Sequence, residues 1–90
     1  MQSIQACVML ALQLMQGCGL RQTRNRVVVL QLLLALPQQE FSCQSMYQAL
    51  LLRQSPVPMS TLYATLREFD HAGLAMSRVI DGERHYRLKP

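Results

Sequence analysis

Near the end of the chain, Asp81-Gly82 stands between two runs that read as strands, Ala75 to Ile80 and Glu83 to Leu88. Asp-Gly accepts the left-handed backbone of a two-residue turn and is the strongest short-range sign of a β-hairpin. The chain is therefore expected to close on a two-stranded antiparallel ribbon. Upstream, Pro and Gly divide the sequence into four helical segments. The first, at about 4–16, ends at Gly17 and Gly19 and is apolar around most of its circumference, so something must cover it. The second starts after Thr23, a plausible N-cap, and runs through Val27 to Leu36 before Pro37. Its three consecutive valines could be strand, but the leucine-rich continuation and the length favour helix.

Ser42 can cap a third helix carrying Met46, Ala49 and Leu50 at three- and four-residue spacing, which Ser55-Pro56-Val57-Pro58 breaks. The fourth begins near Met59, places Leu62, Leu66 and Phe69 on one face, and ends at Gly73. The expected fold is mainly α with a C-terminal β-hairpin: a winged helix-turn-helix of four helices plus a two-stranded antiparallel wing, one domain over residues 1–90. In that order of elements, the helix before the ribbon reads the major groove and the ribbon touches backbone.

The chain has 90 residues, half of them hydrophobic and 16% charged, which excludes a disordered chain or a coiled-coil rod. Nine Lys and Arg against five Asp and Glu leave a net charge of +4. Eight of the nine are Arg, whose planar fork of donors suits phosphates and bases. The charge allows an anionic partner without demanding one. Cys7, Cys18 and Cys43 cannot all pair and show no C-x-x-C spacing, so a reducing, cytoplasmic setting is the simpler expectation. Ala6 to Leu12 is as apolar as a signal-peptide centre, but no Lys or Arg precedes it. No run is long enough to cross a bilayer, which takes roughly 18 residues. Nothing resembles a Ser-His-Asp arrangement, a phosphate-binding glycine loop or a pair of catalytic acids, so no enzyme activity is expected.

Four segments resemble the ferric uptake regulator family of bacterial metal- and peroxide-responsive repressors. They are Gly19-Leu20-Arg21-Gln22-Thr23 with Arg26 and Leu30; Met46-Tyr47-Gln48-Ala49-Leu50; Ser60-Thr61-Leu62-Tyr63-Ala64-Thr65-Leu66 with Phe69, Ala72, Gly73 and Leu74; and Asp81-Gly82-Glu83-Arg84-His85-Tyr86-Arg87-Leu88. Together they span roughly residues 19–88 in the family's order and near-identical spacing. The likeness is to the DNA-binding half; the metal-sensing dimerisation half that ordinarily follows is expected to be missing. The resemblance aligns Glu40 with a position where many members carry a metal-binding His, and Asp81 with the family's ribbon carboxylate. Two carboxylates without imidazole or thiolate partners make a poor zinc or ferrous-iron site, so no regulatory metal or other cofactor is expected.

The resemblance implies base contacts by Tyr63, while the Arg that follows in the family's motif is replaced by Ala64. Tyr63 and Arg67 lie four apart, opposite the Leu62, Leu66 and Phe69 face, and both can project into a groove. Ser60 and Thr61 offer hydroxyls and free N–H groups to a phosphate; simple capping of their helix is the plainer role and does not exclude the other. Arg21, by resemblance, is the candidate for the minor groove, and Arg24 and Arg26 cluster beside it. Arg84 and Arg87, with His85 and Lys89, put positive charge on the hairpin, while Tyr86 and Leu88 are expected to pack inward. A solvated helix face and ordinary surface charge are the plainer readings of these same residues. His71 and His85 have no ligand-spaced neighbours and read as surface residues.

The reading is thus a sequence-specific regulator binding double-stranded DNA, acting at promoters as a repressor or accessory factor. It is expected to form a homodimer through Ile4, Val8, Leu12 and Met15 of the first helix. The alternative is a protein-interaction module or antagonist that keeps the scaffold, pairs with another regulator and has lost DNA binding. A third reading, a metal sensor assembled across a dimer, requires bound zinc or iron.

Overall fold

A computed structural model describes the backbone of residues 4–90 and the side chains from Val8 onward. Seven elements follow one another: α1 (Ile4–Gly17), α2 (Arg24–Ala35), β1 (Phe41–Ser42), α3 (Cys43–Leu52), α4 (Met59–Ala72), β2 (Ala75–Ile80) and β3 (Glu83–Leu88). The four expected helices and the hairpin are all present, as a winged helix. The wing gains a third strand: β1 pairs antiparallel with β3, giving the order β1-β3-β2. That strand is two residues long and has no local signature. It exists because β3 would otherwise leave a row of unpaired backbone groups on its outer edge.

The helix boundaries come from local chemistry. Thr23 Oγ1 accepts the N–H of Arg26 at 3.3 Å, capping α2. Ser42 Oγ accepts the N–H of Ser45 at 3.0 Å, capping α3. Gly73, with φ +79°, closes α4 in the left-handed conformation, and Leu74 N–H reaches back to Phe69 O at 2.9 Å. In the hairpin Asp81 and Gly82 both have positive φ, +52° and +80°, as the mirror-image turn requires.

The core joins Ala11 and Met15 of α1, Val29 to Leu33 of α2 except Gln31, Phe41, Met46 and Leu50 of α3, Val57, the Leu62-Leu66-Phe69 face of α4, and Tyr86 of the wing. α2 is the interior helix, which explains why its valines and leucines show no single polar face. α1 lies against α2 and buries Ala11 and Met15 completely. Met15 is therefore a monomer core residue and is not available for the dimer contact expected of it. Ile4, the first residue of that expected contact, lies outside the described side chains, and Leu12 packs partly against the core. Met9, 57% exposed, and the half-buried Val8 remain on the outer side. Among the described residues no helix is long and apolar enough to cross a membrane.

Candidate nucleic-acid interface

α4 is amphipathic, and its outer face is the centre of the candidate site. Burying Leu62, Leu66 and Phe69 leaves Tyr63 51% exposed, with the Arg67 guanidinium carbon 5.8 Å from the centre of its ring. Cation-π attraction at that range keeps both groups together on the surface. An open groove on one side of α4 is lined by Ser60, Thr61 and Ala64 of the helix and by Arg21 before α2. A second groove, on the wing side, is lined by Tyr63, Arg67, Asp70 and His71 of α4 and by Arg84 and Tyr86 of β3. The helix thus stands between two arginines, one from each flank.

The helix begins at Pro58 as N-cap, with no side-chain capping bond. Ser60 and Thr61 do not spend their hydroxyls on capping, and the first N–H groups of α4 lie ahead of the intrahelical ladder that starts with Leu62 N–H to Pro58 O, 2.8 Å. Arg24 donates to Pro56 O at 2.7 Å, tying the start of α2 to the loop between α3 and α4. Arg26 donates to Arg21 O at 2.8 Å and forms an ion pair with Glu68, so it braces the Arg21 loop against α4. These two arginines serve as internal ties; Arg21 and Arg24 are both exposed, and among the described residues Arg21 is the one of the three whose side chain makes no internal hydrogen bond or ion pair.

The strand register separates the hairpin's cations. Val79 pairs with Arg84 and Ser77 with Tyr86, on the face turned to α4, whereas Met76 pairs with Arg87 and Arg78 with His85 on the opposite face. Arg87 accordingly lines a different hollow, with Glu40, Met76 and Arg78. The sequence contained that signal: residues three apart in one strand point to opposite sides. Tyr86 is buried as expected, and burial pushes its phenol above the ordinary range.

Three ties were invisible in the sequence because their members meet only in the fold. One is the Arg26–Glu68 pair. Another is Ser77 Oγ donating to Asp70 Oδ2 at 2.7 Å while accepting from Arg84 Nη1 at 2.9 Å. The third is Glu40, which reaches across β3 so that Arg78 Nε and Nη2 each donate to one of its oxygens at 2.6 Å. That fork holds the Glu40 carboxyl below the usual glutamate range.

The Glu40 fork bears on metal binding. Both carboxylate oxygens face a guanidinium, and Asp81 sits exposed in the hairpin turn. Among the described residues no three of His, Cys, Asp and Glu come together as a ligand set. Glu40 and Asp81, with the other described residues, do not fit a zinc or ferrous-iron site.

The model of the ferric uptake regulator family matches residues 17–90, from the end of α1 through the wing. The chain belongs to the ferric uptake regulator family. It is 34% identical over 68 residues to the ferric uptake regulation protein of Pseudomonas fluorescens, covering 76% of this chain and 55% of that protein. The Pseudomonas aeruginosa protein of the same name matches at 34% over 76% of this chain and 51% of its own length. Among solved structures, the P. aeruginosa ferric uptake regulator with manganese superposes at TM-score 0.84 with 30% identity, over 89% of this chain and 60% of that one. The Vibrio cholerae ferric uptake regulator gives 0.77 and 25%, over 87% and 60%. The chain thus spans about half the length of the relatives that it matches in sequence.

Proposed function

We propose that this member of the ferric uptake regulator family binds double-stranded DNA sequence-specifically as a transcriptional regulator. The observation that carries the reading is the presentation of Tyr63 and Arg67 on the outer face of α4, with Arg21 and Arg84 on its two flanks. Tyr63 would meet a base edge or phosphate and Arg67 a guanine edge in the major groove. Ser60 and Thr61 would seat a phosphate at the helix start, and Arg21 would enter the adjacent minor groove. Arg84 would contact backbone from the wing, while Arg87, on the far face of the sheet, would add only long-range attraction.

The reading includes operation without a regulatory metal, supported by the commitment of Glu40 to Arg78. It also includes a homodimer, in which the outer side of α1 around Val8 and Met9 meets a second copy. One module neutralises few phosphates, and two on a palindrome gain effective concentration. The test is fluorescence anisotropy on a palindromic A·T-rich duplex and a scrambled control across a salt series. Preference for the palindrome, a negative salt slope and indifference to EDTA or added manganese are expected. Equal, negligible binding to both duplexes overturns the DNA-binding reading. A sedimentation mass of one chain at micromolar concentration removes the homodimer.

A further inference from the structure

We propose that Ser77 and Asp70 are positioning residues that hold Arg84 against α4 as a pre-set phosphate contact; the inference rests on the DNA-binding reading above. A serine hydroxyl has one hydrogen to give and two lone pairs to receive. Here Ser77 gives its hydrogen to Asp70 Oδ2 at 2.7 Å and receives one from Arg84 Nη1 at 2.9 Å. The chain of bonds runs in one direction, from a cation through a hydroxyl to an anion, and each bond is strengthened by a charge at its end.

The bonds join three elements. Asp70 is on α4, Ser77 on β2 and Arg84 on β3. Ser77 and Arg84 stand on the α4 side of the sheet at neighbouring register positions, since their partners are Tyr86 and Val79. The long Arg84 side chain is thereby drawn back along the wing into the groove that it shares with Tyr63, Arg67, His71 and Asp70 itself, whose Oδ2 is engaged by the Ser77 hydroxyl. An unrestrained surface arginine loses rotamer freedom when it meets a phosphate; the bond to Ser77 would remove part of that freedom beforehand.

The intervening hydroxyl has a second effect. Among the described residues, Arg26 and Arg78 are held in ion pairs with Glu68 and Glu40, whereas Arg84 is in none. Asp70 orients Arg84 through Ser77 without sitting on the guanidinium. Most of the five N–H donors of Arg84 stay available to an anion from outside. A direct Asp–Arg pair would fix the side chain equally well and cancel the charge the site needs.

The experiment uses the full chain with Arg84→Ala, Ser77→Ala, Ser77→Thr, Asp70→Asn and the Ser77→Ala/Arg84→Ala double variant, each checked for native helical signal. In the free protein, the guanidinium resonances of Arg84 should show hindered rotation that Ser77→Ala and Asp70→Asn release and Ser77→Thr keeps. In anisotropy salt titrations, Arg84→Ala should weaken duplex binding roughly tenfold and reduce the salt slope by about 0.9, one phosphate contact. Ser77→Ala should weaken binding roughly threefold with the slope kept, Ser77→Thr should restore it, and Ser77→Ala should add nothing once Arg84 is gone. Additive losses in the double variant, or tight binding by Ser77→Ala beside a weakened Arg84→Ala, overturn the positioning role while leaving DNA binding intact. Failure of the unaltered chain to bind any duplex overturns the DNA-binding reading and this inference together.

Discussion

Leu62 and Tyr63 are adjacent on α4 yet should respond in opposite ways to replacement by alanine. Leu62 is fully buried among core residues. Truncating a leucine in such a site removes its transfer energy and leaves a cavity, about 2 to 5 kcal/mol in all. For a domain of this size that corresponds to a fall in melting temperature of roughly 10 °C or more. Tyr63 is half exposed, and the notable contact of its ring is the Arg67 guanidinium at 5.8 Å. That contact is worth about 0.5 to 1 kcal/mol at an exposed site, and the better helix propensity of alanine offsets much of it. Tyr63→Ala should therefore shift stability by less than about 1 kcal/mol. Its effect belongs in binding: losing a base-edge contact costs about 1 to 3 kcal/mol, between roughly fivefold and 150-fold in affinity. Denaturant unfolding followed by circular dichroism measures the first quantity, and anisotropy with the palindromic duplex the second. If Tyr63→Ala proves as destabilising as Leu62→Ala, or binds the duplex as tightly as the unaltered chain, the assignment of an outward, DNA-facing surface to α4 is wrong.

Further expectations concern the wing and the thiols. Gly82 has φ +80° and open space where a Cβ would be, so Gly82→Ala should cost about 1 to 2 kcal/mol from backbone strain alone, and Gly82→Asn less, in chemical denaturation. Arg78 lowers the Glu40 carboxyl from its ordinary value of 4.5. The pair's contribution is thus present in full above that value and lost as pH falls through the depressed folded one. The stability difference between the unaltered chain and Glu40→Gln should shrink across that acid range, whereas an unchanged difference at low pH would contradict the pairing. Burial raises the Cys43 thiol, with the nearby Glu83 charge adding to it, while Cys18 is exposed. Peptide mapping after brief iodoacetamide treatment near neutral pH should find Cys18 modified well ahead of Cys43.

What the amino-acid sequence determined by itself was set by neighbours a few residues apart. Thr23, Ser42 and Gly73 end helices through bonds spanning three to five positions, and Asp81-Gly82 turns the chain within two. Such interactions are encoded in short stretches, so the helices and the hairpin were legible almost to the residue, as was the outward projection of Tyr63 and Arg67. The tertiary structure decided whatever depends on distant segments meeting. Strand β1 finds its backbone partners only on the open edge of β3, while Phe41 is buried in the shared core. Met15 is covered because α2 happens to lie against that side of an otherwise evenly apolar α1. Glu40 finds Arg78, and Arg26 finds Glu68, across separations of 38 and 42 residues. Hence the sequence could nominate candidate surface cations but not sort them. Packing assigned Arg24, Arg26 and Arg78 to internal partners and left Arg21, Arg67 and Arg84 around α4, because a charge finds its partner by proximity in space and no local pattern records who that neighbour will be.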